Sequence, residues 1–600
     1  MISFSSYIFP FTRKKALIWL SIIGFIIYAN MLLNGFAWDD LVFIINNPEM
    51  HHGNLSFLFG KNMFNSGPFY RPLPAIYFAF SYYLFENHAF YYHFIQLLLH
   101  LLGTSMLFLL FSLFFSEGLA FFLALIFLVH PINVESVAYI GSTQSELYFI
   151  PGIAALLLAT KYHLSPKRFI VISALLVITL FTKETGFLFM LLVILFRYLF
   201  KLNSVKNFSL LTAAIVLFYA GIRVFVGGVT FKMSTLIPIA SLSLGQRLVH
   251  IPAISLHYIT TVLFPWHLAS WQIWILPKIT FLNFVIPLVV TSSLFLLGIG
   301  IAWALFKNKS VAISKKEKVQ KYAEKVIDFR NVDAFSLYVF FFVWTFLGMG
   351  IILQIVPLDM TVADRWFYFP FVGILGMIGI GIKQLHTRYA GLRKTVLLVV
   401  CVLVVLLSIR TIIRNADWKD EITLFTHDLK LEPDNYYMMI TLAKDYAKMG
   451  EYKKAVYYQE NVIKRYVDIA GLNELGTLYQ QTKQYNKAIA AFSRAVALSE
   501  NKATQDKDKN KIAPYANVAY TYLLNKLPEE AISFLSSHGI KKFPKNANLY
   551  TMLAIAESQI GDHEKALVAI KRARSLSNDA KIYSVYLQIK NNSSISVSGN

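Results

Sequence analysis

Long apolar runs, broken by short polar stretches, fill the chain up to about residue 413; beyond it the pattern turns polar and repetitive. A span needs about 20 apolar residues. On that measure about eleven runs predict transmembrane helices: 16–33, 92–114, 118–131, 145–161, 168–182, 186–200, 208–226, 281–305, 334–356, 367–384 and 394–413. The run 248–264 is interrupted by Pro252 and closed by Phe264-Pro265-Trp266, so it reads as re-entrant or interfacial. Residues 34–91 form a long outer loop, in which Ile76–Phe85 is too short to span and reads as an interfacial helix.

In residues 436–574 a small residue, then Tyr, then Ala recur with a period near 34. The marks are Ala443, Tyr446 and Ala455; Gly476, Tyr479 and Ala488; Ala519, Tyr522 and Ala531; and Ala554, Glu557 and Ala566. Small residues at these places let paired helices approach closely, the signature of tetratricopeptide repeats stacked as helical hairpins. Gly450 and Gly561 fall where the first helix of a hairpin should stop. Trp418–Leu431 reads as a lone helix that starts the stack, Lys502–Lys511 as a solvated loop and 578–590 as a capping helix. The predicted class is therefore all-α: a polytopic membrane bundle over 1–413, an α-solenoid over 414–590, and a disordered Ser-rich tail over 591–600.

Composition agrees. The chain is 56% hydrophobic and only 15% charged, with a mean hydropathy of +0.53. The net charge of +22 does not indicate nucleic acid, because many basic residues lie in short loops between spans. Loops holding Lys161, Lys167 and Arg168; Arg197, Lys201 and Lys206; the lysines of 307–325; and Arg388, Arg393 and Lys394 all fall on the cytoplasmic side if 248–264 does not cross. The repeats then share the outer side with loop 34–91. Cys401 is the single cysteine, so no disulfide can form within the chain.

The remaining polar residues of the membrane half gather on that outer side. Asp39 and Asp40 follow Trp38 where the first span ends, and a carboxylate there can serve as a general base. Arg71, His93, His100, His130, Glu135, Lys183, Glu184, Asp364, Arg365 and Tyr368 mark successive loops and helix ends. Each has an ordinary reading: a hydrogen-bonded core histidine, a helix stop at His130-Pro131, a surface pair at Lys183-Glu184, a headgroup anchor at Arg365. Their shared side is what those readings leave unexplained. Arg and Lys at a membrane surface suit a phosphate, and acids beside them suit activation of a hydroxyl. The Asp-Asp pair could also hold a divalent ion, but no further ligand set of convincing spacing accompanies it.

Trp38-Asp39-Asp40, Asn47-Pro48, Tyr70-Arg71-Pro72-Leu73, Leu97-Leu98-Leu99-His100, His130-Pro131, Lys183-Glu184-Thr185-Gly186, Leu263-Phe264-Pro265 and Asp364-Arg365 follow in an order that resembles the TMTC family of membrane O-mannosyltransferases with tetratricopeptide repeats. The resemblance covers nearly the whole chain. It implies a GT-C fold, a polyprenyl-phosphate sugar donor and an acceptor-activating acid in the first outer loop, here Asp39 or Asp40. Family members often carry Gly-Arg-Ala-Asp/Glu-Leu after the His-Pro; this chain has Thr143-Gln144-Ser145-Glu146-Leu147, keeping the acid as Glu146 and lacking the Arg.

These features lead to one expectation: a glycosyltransferase moving a sugar from a polyprenyl phosphate to a protein hydroxyl at the outer face. Arg71, Lys183 and Arg365 would hold the phosphate, and His93, His100, His130, Glu135, Glu146, Glu184, Asp364 and Tyr368 would line or brace the cavity. The repeats would bind the acceptor protein or peptide in their groove. The expected setting is a bacterial inner membrane with periplasmic repeats, or an endoplasmic reticulum membrane with luminal ones. Two other classes stay open: a ligase or polymerase acting on lipid-linked glycans, and a non-enzymatic scaffold in which the bundle only anchors the repeats. A transporter is disfavoured, since no duplicated pair of broken spans is visible.

Overall fold

The computed structural model describes residues 12–53, 59, 69–228, 237–316, 329–501, 511–591, 593 and 595. It divides into two compact units, 1–432 and 433–600. Most of the insertion expected at 502–511 and of the tail expected at 591–600 lies outside the described residues, as do 54–58 and 60–68 of loop 34–91.

The first unit is helical, and among the described residues its only β pairing is an isolated bridge between Gln272 and Val362. Its main helices are α1 (Arg13–Tyr28), α2 (Pro72–Phe85), α3 (Ala89–Phe114), α4 (Glu117–Val129), α5 (Gln144–Leu158), α6 (Pro166–Thr182), α7 (Phe187–Leu199), α8 (Val205–Phe225), α9 (Leu244–Leu263), α10 (Ile286–Lys316), α11 (Ala334–Ile352), α12 (Tyr368–Arg388), α13 (Arg393–Asp417) and α14 (Glu421–Leu431). Seven stretches in this unit, built on α1, α3, α8, α10, α11, α12 and α13, are long and apolar enough to cross a membrane. A bent pair, α4 with Pro131–Ala138, would make an eighth. This is a multi-pass membrane protein. Expected spans 145–161, 168–182 and 186–200 are the shorter helices α5, α6 and α7. In α9 the helix runs on through Pro252 rather than breaking there, started by a capping box between Ser243 and Gln246.

α3 is central, packing on α1, α4 and α5, while α13 packs on α1 and α4. Polar side chains stitch these helices where a membrane interior offers no water. Asn415 on α13 donates to the Ile27 carbonyl at 3.0 Å, and Asn34 donates to the Asn415 carbonyl at 2.9 Å. The Gly35 N–H donates to the Lys419 carbonyl at 2.8 Å. The loop carrying the acidic doublet is thereby fixed to the end of α13. α14, read from sequence as the start of the solenoid, lies within this first unit.

The second unit is a run of helical hairpins. Its helices are α15 (Tyr436–Lys448), α16 (Tyr452–Arg465), α17 (Ile469–Gln481), α18 (Tyr485–Glu500), α19 (Ala513–Leu524), α20 (Pro528–Phe534), α21 (Ala547–Gln559), α22 (His563–Leu576) and α23 (Ala580–Lys590). The repeated small residues do what their spacing suggests: a Cβ added to Gly476 would meet the Phe492 ring at 2.5 Å, so only glycine lets α17 and α18 close. Asn435, Asp468 and Asn546 cap the first helices of three hairpins. α23 closes the stack, with Ile582 and Ile589 packed against Ala566, Ile570 and Ala573.

The first helix of every hairpin ends on a residue with positive φ: Gly450 (79°), Lys483 (58°), Lys526 (60°) and Gly561 (86°). Two of the four are lysine, which bears a cost of about 1 kcal/mol in this conformation that glycine does not. Lys483→Gly and Lys526→Gly should each stabilise the repeats by about 0.5–1 kcal/mol, and Gly450→Ala should destabilise by a similar amount. Pulse proteolysis of the full chain across a urea series reads both signs.

Candidate functional site

Asp39 and Asp40 sit at the turn after the first span, and the backbone that presents them is unusual. Trp38 has φ 58°, a conformation a bulky side chain rarely adopts. It is held there by a ring stack. Trp38 lies 5.2 Å from Tyr139 and 5.7 Å from Trp271, and Tyr139 in turn lies 5.4 Å from Trp418. The Arg365 guanidinium sits over both Trp38, at 5.2 Å, and Tyr139, at 5.7 Å.

The two acids differ sharply. Asp40 is 1% exposed and accepts from the Gly141 N–H at 2.6 Å and the Ala37 N–H at 3.1 Å. Burial pushes its pKa up to about 8 despite those two donors. Asp39 is partly exposed and accepts only from the Tyr139 hydroxyl, at 3.1 Å on Oδ2. Burial raises it to about 6, held down by the Arg365 charge and the Tyr139 hydrogen bond and pushed up by Asp359. At neutral pH Asp39 is therefore largely ionised while Asp40 mostly keeps its proton. Two adjacent carboxyls are thus set apart by their surroundings: Asp40 holds the loop, and Asp39 accepts only from Tyr139 among the described residues.

Of the three cations expected at a phosphate, Arg365 bears on Asp39, and Arg71 and Arg365 both bear on Lys183. Arg365 is ion-paired to Glu135, which also accepts from the Arg365 backbone N–H at 2.9 Å. Arg71 donates to Glu184 at 2.8 Å and to Gln144 at 2.8 Å. Lys183 donates to the Ser145 hydroxyl at 3.2 Å and lies 5.5 Å from the Tyr148 ring. Burial lowers Lys183 to about 7, and the charges of Arg71 and Arg365 lower it further, against the pull of Glu184 and Glu146. Arg365 thus acts on Asp39 and on Lys183 alike. Glu184, beside Lys183 in sequence, pairs across the fold with Arg71.

Segment 139–146 joins these groups: Tyr139 reaches Asp39, Gly141 reaches Asp40, Gln144 reaches Arg71 and Ser145 reaches Lys183. Gln144 falls within the stretch whose missing Arg the sequence reading flagged, and its carboxamide serves Arg71. Glu146 is fully buried and neither of its oxygens has a hydrogen-bond partner. Asp364 is 1% exposed, and its Oδ1 is likewise unpartnered.

The histidines hold the frame. His130 accepts from the Ile132 N–H at 3.2 Å through Nδ1, which leaves its Nε2–H to donate to the Val262 carbonyl at 3.0 Å. His100 contacts the Tyr368 hydroxyl at 3.0 Å and the Leu128 carbonyl at 3.3 Å, deep among aromatic rings. His93 contacts the Gly35 carbonyl at 3.2 Å. Tyr139, Trp418 and the pair Arg414–Asp428 escaped the sequence reading. Asp428 is fully buried and accepts from Arg414 at 3.1 Å and from the N–H and hydroxyl of Ser270, both at 2.6 Å. Among the described residues no three His, Cys, Asp or Glu side chains gather as a metal site.

A tetratricopeptide-repeat family model matches residues 470–502. Mouse protein O-mannosyl-transferase TMTC3 is 23% identical over 94% of this chain and 64% of its own length. The protein O-mannosyl-transferase F38B6.6 of Caenorhabditis elegans is 25% identical over 75% of this chain and 62% of its own. Human protein O-mannosyl-transferase TMTC1 is 35% identical over 122 residues, 18% of this chain and 14% of the relative. The solved tetratricopeptide protein YrrB is 18% identical over 28% of this chain and 81% of its own, with a TM-score of 0.25. Over most of its length the chain is TMTC-like and carries tetratricopeptide repeats, and it spans about three-fifths of the length of the first two relatives.

The division of labour between the acids predicts opposite mutational profiles. Asp40→Ala strands two buried N–H donors and should cost about 2–4 kcal/mol, whereas Asp39→Ala loses one hydroxyl contact and should stay within about 1 kcal/mol. Thermal unfolding of the purified chain in detergent separates them.

Proposed function

We propose that this protein is a membrane glycosyltransferase that moves one sugar, mannose first among candidates, from a polyprenyl phosphate to a protein hydroxyl at the outer face. The observation that carries the reading is the placement of Arg365. Its charge lies against the partly exposed acid Asp39 and bears on Lys183, whose other cationic neighbour is Arg71. The acid and the cations are thus linked electrostatically through Arg365. The TMTC-like sequence supports the same class of reaction.

In this reading Asp39 takes the proton of the acceptor hydroxyl as its oxygen bonds to the anomeric carbon. The bond from that carbon to the phosphate oxygen breaks, and the phosphate leaves with the electron pair. No general acid is needed, because the phosphate leaves as an anion that Arg71, Lys183 and Arg365 already face. A single displacement inverts the anomeric configuration. The GT-C architecture, the outer-face orientation and acceptor capture by the repeats belong to this proposal, as does the membrane, bacterial inner or endoplasmic reticulum.

The test uses membranes containing the full chain and radiolabelled polyprenyl-phosphate mannose. Asp39→Asn should lower transfer by about 100-fold or more. Because Asp39 works only when ionised and Lys183 only when charged, transfer at low donor concentration should rise as pH climbs through about 6 and fall again above about 7. Undiminished transfer by Asp39→Asn would remove the acid from the chemistry, and a product carrying a whole glycan would favour a ligase. Sidedness is tested separately. In a Cys401→Ser background, single cysteines at the exposed positions Glu86 and Lys483 should react with the same membrane-impermeant reagent from the same side.

A further inference from the structure

We infer that Tyr139 is a positioning residue for this transfer: its hydroxyl turns the free oxygen of Asp39 towards the acceptor, and its ring seats the Arg365 guanidinium. The inference rests on the glycosyltransfer reading above. Tyr139 lies on the segment after the short helix Val134–Ala138 and is 3% exposed. Its own backbone is fixed, since its carbonyl accepts from Gln96 at 2.7 Å and from the Ser142 N–H at 3.0 Å. Its ring packs against both Trp38 and Trp418, with interplanar angles of 25° and 18°. A phenol held this firmly at both ends has little freedom in where its O–H points.

That O–H donates to Oδ2 of Asp39 at 3.1 Å, and among the described residues Oδ1 has no hydrogen-bond partner. Occupying one oxygen fixes the plane of the carboxylate and leaves the other to receive a proton. The groups facing Asp39 are Arg365 and Asp359 from the segment before α12, Tyr139 from the segment before α5, and Asp40 beside it. Of these, only Tyr139 and Arg365 favour the ionised carboxylate. Tyr139 touches both, by its hydroxyl on one and its ring face beneath the other. One side chain therefore sets the orientation of the base and the seat of a phosphate-facing cation.

Tyr139→Phe removes the hydroxyl and keeps the stack. In the purified full chain, assayed with polyprenyl-phosphate mannose and a Ser/Thr-rich peptide, it should lower kcat by about 10- to 100-fold while the donor KM changes little. The acid limb of its pH profile should move to higher pH, because a donor to the ionised form is gone. A fluorinated tyrosine at 139, a stronger donor that preserves the fold, should move that limb to lower pH. Tyr139→Leu, which also loses the ring, should raise the donor KM as well. Wild-type kcat and pH profile in Tyr139→Phe, with Asp39→Asn inactive, would overturn the role of Tyr139 and leave the transfer reading standing. Full activity in Asp39→Asn would overturn the transfer reading, and this inference with it.

Discussion

The site depends on one buried carboxyl, Asp40, receiving two backbone N–H groups. The Ala37 donor belongs to its own loop and the Gly141 donor lies 101 residues further on, so Asp40 binds the first outer turn to segment 139–146. The contact between Tyr139 and Asp39 follows from that register. With the two segments held together, Tyr139 is opposite Asp39, Gln144 meets Arg71 and Ser145 meets Lys183. A buried N–H left without an acceptor costs about 1–3 kcal/mol, so a slip of one residue is heavily penalised. The strained Trp38 fits the same account. Its left-handed backbone persists because a hydrogen-bonded turn on one side and three indole or phenol rings on the other over-determine it.

Charge is the second constraint. Positive groups that faced one another without counter-ions in a dry interior would repel strongly. Here Arg365 is compensated by Glu135 and Arg71 by Glu184, while Lys183 is met mainly by neutral groups, the Ser145 hydroxyl and the Tyr148 ring. Burial first, and then the charges of Arg71 and Arg365, hold its pKa down at about 7.

Much of this was legible in the sequence, for reasons that can be named. Repeats announce themselves because the small residues recur at a fixed spacing, and Gly476 against Phe492 is that spacing made physical. The candidate acids and cations stood out because charge beside apolar runs is rarely casual. What sequence could not do was divide labour between neighbours. Asp39 and Asp40 have the same side chain, and only partners at Tyr139 and Gly141 distinguish them. Lys183-Glu184 read as a local pair, yet Glu184 answers to Arg71, more than a hundred residues away. The aromatic clamp was invisible because Trp38, Tyr139, Trp271 and Trp418 come from four separate stretches, each holding an unremarkable ring. His130 fits its plain reading as a helix stop, because its ring caps the turn that follows it.

The clamp also sets how the end of the bundle is built. Trp418 and Phe425 bring the junction after α13 and the helix α14 against Trp38, and Asp428 of α14 grips Arg414 and Ser270. α14 is therefore tied to the acidic turn by ring contact and to α13 by a buried ion pair. Removing one partner of such a pair leaves an uncompensated charge, a loss larger than the pair contributes when intact. The chain passes from α14 into the repeats at Pro433, so the last element before the solenoid belongs to the wall of the site. Asp364, with an unpartnered oxygen between the Glu135–Arg365 and Arg414–Asp428 pairs in the electrostatic network, joins the two. A buried carboxyl there, with one oxygen unpartnered, bears a desolvation cost that an apolar residue would not.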